Sequence, residues 1–293
     1  FFWRLYFQPI LKIDGSERLM GTGMLWLAAS CILLMVLIGL QAYFYLFRPY
    51  RNRIETLEKA AEESEQAEHI RREFVANVSH ELKTPLTSIS GFAELMQAGL
   101  VPMEKVQEFS ADIYRESRRL LELVNDIIKL SRLDEGGDKL ERQRVELHAL
   151  AENVLANLES VAEKCHVTLS LTGGAAYVTG VPALLSEMLY NLCDNAIKYN
   201  VDGGSVRVDI AQSTAETVLT VSDTGIGIPY AHQSRVFERF YRVDKSHSRQ
   251  SGGTGLGLSI VKHAVQYLGG RIELESQPGK GTTMRVHFPD GNV

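Results

Sequence analysis

Cysteine is scarce. Cys31, Cys165 and Cys193 stand far apart in a chain of 293 residues. None belongs to a CxxC pair or sits at metal spacing from a histidine, so the sequence supports neither a disulfide framework nor a zinc site. An excess of positive charge is also missing. The 31 Lys and Arg against 36 Asp and Glu leave a net charge of -5. That balance argues against direct nucleic-acid binding, which calls for a basic patch or stripe. Glycine (24) and proline (8) are too few for a collagen-like chain, and 45% hydrophobic residues are too many for wholesale disorder. The length allows about two folded units.

The most informative absence is local. From Leu19 to Phe47 there is no charged side chain, a fact hidden by the mean hydropathy of -0.08. At ~1.5 Å per residue a helix of this length exceeds the ~30 Å hydrocarbon layer of a bilayer. Trp26 near one end, and Tyr43 and Tyr45 near the other, form an aromatic belt. Arg48, Arg51 and Arg53 follow at once, which by the positive-inside rule puts residues 48–293 in the cytoplasm. Residues 19–47 are therefore expected to be a transmembrane helix rather than a cleaved signal peptide, which would be shorter. The chain begins Phe1-Phe2-Trp3 with no initiator Met. Residues 1–18 are expected to be the end of an extracytoplasmic segment of a longer protein.

A polar stretch from Ile54 to about Leu82 follows, with Ile54, Leu57, Ala61, Ser64, Ala67, Ile70, Phe74 and Val78 at steps of three and four. This narrow stripe predicts a helix in a two-stranded coiled coil. A second amphipathic helix is expected from Met103 to Leu133, after the turn Ala98–Pro102. Such a hairpin leaves one side open, and two of them close a four-helix bundle, so a homodimer is expected. Residues 48–73 read as a signalling linker, 65–134 as the dimerisation domain, 135–140 as a hinge. Residues 141–290 read as an α+β sandwich with one sheet covered on one face by helices. Helices are predicted at 147–163, 182–198 and 255–268, and strands at 166–172, 204–212, 216–223, 271–276 and 282–288.

Four clusters could carry chemistry. In Phe74–Pro85, His80 is flanked by Glu81, which can hold the neutral tautomer and leave the other ring nitrogen nucleophilic. Thr84 stands one turn along on the same face. Pro85 removes a backbone donor and should bend the helix. In Asn191–Asn200, Asn191, Asn195 and Lys198 share a helix face, two amides and an ammonium suited to a cation and to phosphate. Asp223-Thr-Gly225-Ile-Gly227 ends a strand in a carboxylate and two glycines. Gly253-Thr254-Gly255-Leu256-Gly257 opens a helix, where backbone N–H groups can meet phosphate. Lys-Ser or Lys-Thr is missing after Gly257, so this is no P-loop, and Ile260 stands where a dinucleotide fingerprint needs glycine. Between the last two clusters, Phe237 and Phe240 read as the root of a mobile polar loop.

With the four clusters in this order, the chain resembles a membrane-bound sensor histidine kinase of two-component signalling, most like the phosphate-regulon and osmosensor type. Phe74–Pro85 is similar to the H box, Asn191–Asn200 to the N box, Asp223–Pro229 to the G1 box, Phe237–Arg242 to the F box and Gly253–Gly257 to the G2 box. The resemblance implies that 141–290 has the ATP-binding fold of gyrase, Hsp90 and MutL. It implies that Asp223 meets the adenine amino group and Tyr199 packs near the base. Asn195, with Asn191 beside it, would hold Mg²⁺, and Lys198 and Arg242 would meet phosphates. Gly225, Gly227, Gly253, Thr254, Gly255, Leu256 and Gly257 would shape the nucleotide loops, with Thr282 supporting the adenine pocket. His80 would take the γ-phosphoryl group, Glu81 acting as base, and pass it to an aspartate of a response regulator. Glu81-x-x-Thr84 would also serve dephosphorylation of that regulator. The implied location is the bacterial cell membrane.

Two features set the alternatives. The 26 residues of 48–73 leave no room for the signal-relay module usual between membrane and H box, so a continuous helix is expected to carry the signal. A sensor acting mainly as a regulator phosphatase, with ATP as an allosteric ligand, stays open. A non-catalytic scaffold is disfavoured because His80 and Asn195 are both present, and a soluble ATPase because of the membrane helix.

Overall fold

The computed structural model describes residues 16–134, 141–243 and 253–289. The expected segment before residue 16, the hinge at 135–140 and the polar part of the loop at 244–252 lie outside the described residues. The chain divides into two compact units, with the boundary after Glu73.

In the first unit, helix α1 runs Ser16–Ala42 and passes into a π-helical turn, Tyr43–Phe47. Within it Gly23–Tyr45 has a mean hydropathy of 2.4 and is long and apolar enough to cross a membrane. None of that stretch is buried by protein, the reverse of a core helix in a soluble fold. Helix α2, Arg48–Gln97, begins here. Its exposed pairs Arg51–Glu55 and Arg71/Arg72–Glu68 sit at helical spacing, each worth a few tenths of a kcal/mol.

The second unit opens with the rest of α2. The sequence puts the end of this helix near Leu82, but α2 continues through Pro85 to Gln97. Proline costs the bond its missing N–H would make to the Glu81 carbonyl. Here Pro85 is buried, and the Thr84 and Ser88 hydroxyls donate to the carbonyls of His80 and Thr84 at 3.1 and 3.3 Å. Packing holds the helix where propensity alone would end it. After the turn, helix α3 spans Val106–Asp134, entered by a single 3₁₀ turn at Met103–Lys105. Phe92 and Phe109 meet edge to face, 5.3 Å between centroids, near the closed end of the hairpin.

The α/β part starts with strand β1, Gln143–Glu146, then helix α4, Leu147–Lys164. Glu146 caps α4 by accepting from the N–H groups of His148 and Ala149, which contributes about 1 kcal/mol. Strands β2 (Thr168–Gly173) and β3 (Tyr177–Gly180) lead to helix α5, Pro182–Lys198, with proline in its first turn. Strands β4 (Ser205–Gln212) and β5 (Glu216–Asp223), a short helix α6 (Tyr230–Gln233), helix α7 (Gly257–Tyr267), and strands β6 (Arg271–Gln277) and β7 (Gly281–Pro289) complete it.

The main sheet has the order β2-β4-β5-β7-β6, with β2 and β4 parallel and the other pairs antiparallel. Alternation along β4, β5 and β7 buries Val206, Val208, Ile210, Leu219, Val221, Met284, Val286 and Phe288 on one face. That face packs on Leu158 of α4, Leu185 and Met188 of α5, and Val261 and Val265 of α7 in one core reaching from Val145 to Phe288. This is the expected α+β sandwich. The antiparallel ribbon β1-β3 was not expected, because four-residue strands carry too few alternations to read. A second, smaller core joins the hairpin to this layer: Leu123 and Leu130 of α3 against Leu256 and Ile260, flanked by Phe74, Leu82 and Phe240.

Leu185 is fully buried under the sheet. Leu185→Ala should cost about 2–5 kcal/mol, by lost transfer energy plus the cavity left behind. Urea unfolding checks this, and a loss below about 1 kcal/mol would mean the site collapses freely.

Candidate active site

One cavity of about 810 Å³ collects most of the residues singled out by sequence. Its walls are α5, the end of β5 with the loop after it, the start of α7, and one face of α3. Asn191, Asn195, Lys198, Tyr199, Asp223, Gly227, Arg242, Gly253, Thr254, Gly255, Gly257 and Thr282 all line it.

Asp223 is the last residue of β5. Its Oδ1 accepts from Gly225 N at 2.8 Å and Thr282 N at 3.1 Å, so both residues serve it through backbone. No hydrogen bond engages Oδ2 among the described residues, and it remains available to a ligand donor. Burial pushes the Asp223 carboxyl above its ordinary 3.8, and the two N–H donors pull it part of the way back. Gly227 has φ +68°, and a side-chain carbon there would stand 2.1 Å from the Gln277 carbonyl oxygen, so no other residue fits this turn. Ser276 ties the same corner: its hydroxyl accepts from Ile228 N at 2.7 Å and lies 2.9 Å from the Thr282 hydroxyl.

On α5, helical spacing does put Asn191, Asn195 and Lys198 on the cavity wall. Lys198 Nζ is paired with Asp194 Oδ2 at 2.7 Å. Burial works against its ammonium, but the nearby Asp194 outweighs this and holds its pKa above the ordinary value. Asn200 has a structural role that sequence reasoning missed. It donates to the carbonyls of Ala196 and Ser205 and accepts from Val201 N and the Thr224 hydroxyl. Cys193 is buried, and burial pushes its thiol up to about 12, which leaves it unreactive.

At the start of α7, Leu256 is fully buried in the smaller core rather than in the cavity. The Thr254 hydroxyl donates to Asp126 Oδ2 of α3 at 2.8 Å. Glu122, Asn125, Asp126 and Lys129 of α3 line the cavity too, and none was expected there. Burial raises the Asp126 carboxyl, and the Thr254 bond offsets part of the rise.

The histidine helix is near but separate. The His80 side chain is 80% exposed and does not line the cavity. Glu81 Oε1 is 3.9 Å from His80 Nδ1. The other Glu81 oxygen faces two guanidinium groups, Arg242 at 3.4 Å and Arg119 at 3.7 Å. Arg242 thus bridges the cavity and the acid beside His80. The Thr84 hydroxyl is turned back onto the His80 carbonyl. Phe240, in the left-handed region at φ +63°, stacks on Phe74 at 5.8 Å, and Arg239 lies over the same Phe74 ring.

Residues 70–136 match the His Kinase A phospho-acceptor domain, and 180–292 match the histidine kinase-, DNA gyrase B- and HSP90-like ATPase family. The chain is 39% identical over 233 residues to the sensor-like histidine kinase SenX3 of Mycolicibacterium smegmatis, covering 77% of this chain and 60% of that protein. It is 38% identical over 232 residues to the sensor histidine kinase WalK of Bacillus subtilis, covering 78% and 38%. The chain therefore spans between about two fifths and three fifths of the length of these relatives. Among solved structures it is similar to the histidine kinase ThkA in complex with the response regulator TrrA, with a TM-score of 0.63 and 24% identity over 80% of this chain and 67% of that one.

Because Asp223 and Asp126 hold protons more readily folded than unfolded, their contribution to stability is greatest below the ordinary carboxylate range and fades as pH rises through the raised values. Asp223→Asn keeps an acceptor for both N–H groups but has no charge to bury. Its stability relative to the unsubstituted protein should grow as pH rises from below the ordinary carboxylate value of 3.8 through the raised one. Urea midpoints across that range check it, and a constant difference would mean the carboxylate is not buried at a cost.

Proposed function

The chain belongs to the sensor histidine kinases of two-component signalling, and from that premise we propose that it binds ATP in the cavity of α5, β5 and α7 and moves the γ-phosphoryl group first to His80 and then to an aspartate of a response regulator. The observation that carries this reading is the convergence of Asp223, Asn195, Lys198 and the glycine-lined start of α7 on one cavity whose remaining wall is the hairpin bearing the histidine.

Each side chain then has a task. Asp223 Oδ2 accepts from the adenine amino group, with Tyr199 beside the base. Lys198 meets phosphate, and the backbone of Gly253–Gly257 approaches it at the start of α7. An imidazole nitrogen attacks the γ-phosphorus, the bond to the β–γ bridging oxygen breaks, and ADP leaves. Glu81 lies on the Nδ1 side, which supports Nε2 as the attacking atom. In the arrangement described, Glu81 is engaged by Arg242 and Arg119 and His80 is outside the cavity. This supports a resting state from which the ATP domain must swing before transfer. Release of Arg242 frees the base and a phosphate-binding cation in one movement.

Mg²⁺ fits the site by its donor chemistry. No cluster of three His, Cys, Asp or Glu that could cage a metal occurs among the described residues. Magnesium is ordinarily held by one or two protein oxygens together with substrate phosphates and water. Asn195 and Asn191 would hold it by their amide oxygens, and it would neutralise charge on the phosphate oxygens, the main requirement of phosphoryl transfer.

The apolar side chains left exposed on the hairpin, among them Leu86, Leu121, Val124 and Ile128, support a homodimer closed into a four-helix bundle. The exposed apolar helix Gly23–Tyr45 supports anchorage in a bacterial membrane, with residues 48–293 in the cytoplasm. Glu81 and Thr84 support a second activity, dephosphorylation of the regulator. Were Thr84 to aim a water at the phosphoaspartate, its hydroxyl would have to leave the His80 carbonyl.

Incubation with γ-labelled ATP and Mg²⁺ should give an acid-labile, alkali-stable label. His80→Gln should abolish it and leave nucleotide binding intact; a persisting label would overturn the assignment. Thr84→Ala should keep labelling within about twofold while slowing regulator dephosphorylation about tenfold or more. Equal loss of both activities would remove the role given to Thr84.

A further inference from the structure

The hairpin contributes more to the cavity than a wall. Lys129 of α3 puts Nζ 2.7 Å from Glu187 Oε1 on α5. The same carboxylate oxygen accepts from Asn191 Nδ2 at 3.1 Å, and that amide nitrogen also donates to the Glu187 carbonyl at 2.9 Å. An asparagine amide has two N–H donors and one oxygen. With both donors taken on the Glu187 side, Oδ1 is turned toward Gly257, where a side-chain carbon would stand 3.0 Å from it. Gly257 and Asn191 both line the cavity. The amide is thereby held with its oxygen, the atom a hard cation needs, on the side of the incoming phosphates.

We propose that Glu187 is a positioning residue that fixes the Asn191 amide for the metal–nucleotide complex, and that Lys129 makes this setting depend on where the hairpin lies. The proposal rests on the ATP reading above and adds a group that reading does not use. Its charge logic has a definite sign. While α3 is docked, the Lys129 ammonium neutralises Glu187. When α3 moves away, the Glu187 carboxylate loses that cation and keeps the amide. A bare carboxylate behind a metal ligand favours the cation and repels a metal-free triphosphate. Hairpin movement would therefore raise the preference of the cavity for magnesium–ATP over free ATP.

The test uses the full chain in detergent micelles, with ATP affinity measured calorimetrically with and without Mg²⁺. The readout is the ratio of the two dissociation constants, which a merely structural role would not move in opposite directions. Glu187→Ala should cut the magnesium advantage about tenfold or more, as loss of outer ligand support does. Glu187→Gln, which can still accept from Asn191, should recover most of that loss. Lys129→Met should increase the advantage by about threefold. Adding Glu187→Ala to Asn191→Ala should change nothing further, because the positioned group is already gone. An unchanged ratio in Glu187→Ala, a fall in Lys129→Met, or additive losses with Asn191→Ala would each overturn the proposal. If Glu187→Ala does not fold, the sign in Lys129→Met decides alone. Failure of the underlying reading looks different: Asn195→Ala would then keep the full magnesium advantage.

Discussion

A carboxylate at the end of the central strand is the constraint around which this site is built. Asp223 closes β5, and two backbone N–H groups from separate segments converge on one of its oxygens. A partly buried carboxylate is costly unless its oxygens are satisfied. Both donors must therefore be delivered to it, one from the glycine turn that follows and one from the start of β7. That requirement explains the tight corner at Gly227, the Ser276–Thr282 hydroxyl pair and the β5–β7 register that sets Ser222 beside Thr283. The helix layer then supplies the amides and ammonium of α5 on the far side of the same cavity.

The hairpin docks on this layer through apolar and charged contacts together. Leu123 and Leu130 against Leu256 and Ile260 supply the non-directional part. Asp126–Thr254 and Lys129–Glu187 stand one turn apart and fix the register. Both pairs end on residues that line the cavity, so the shape of the cavity and the position of the hairpin are coupled through shared side chains. Arg242 on Glu81 extends that coupling to the histidine helix. The docked arrangement keeps the acid beside His80 occupied and the imidazole in solvent.

The motif-borne half of the cavity was legible in the sequence, because those residues act through local geometry. Asp223 and Gly227 share one tight turn, and Asn191, Asn195 and Lys198 share one helix face. Periodicity also carried the five strands of the main sheet and the helices covering it. The apolar stripe of α2 was legible only to about Leu82, and the helix runs on through the buried Pro85 to Gln97. The ribbon β1-β3 was illegible because its strands are too short to alternate.

By itself the sequence determined the apolar span, the amphipathic hairpin, the sandwich of sheet and helices, and the identity of the residues around Asp223, since each depends on neighbours a few positions apart. Only the tertiary structure decided that Glu122, Asp126 and Lys129 face the cavity, that Leu256 leaves it for the core, and that Arg242 rests on Glu81. Those are contacts between segments tens of residues apart, made by ordinary charged and aliphatic side chains whose partners no local spacing can name.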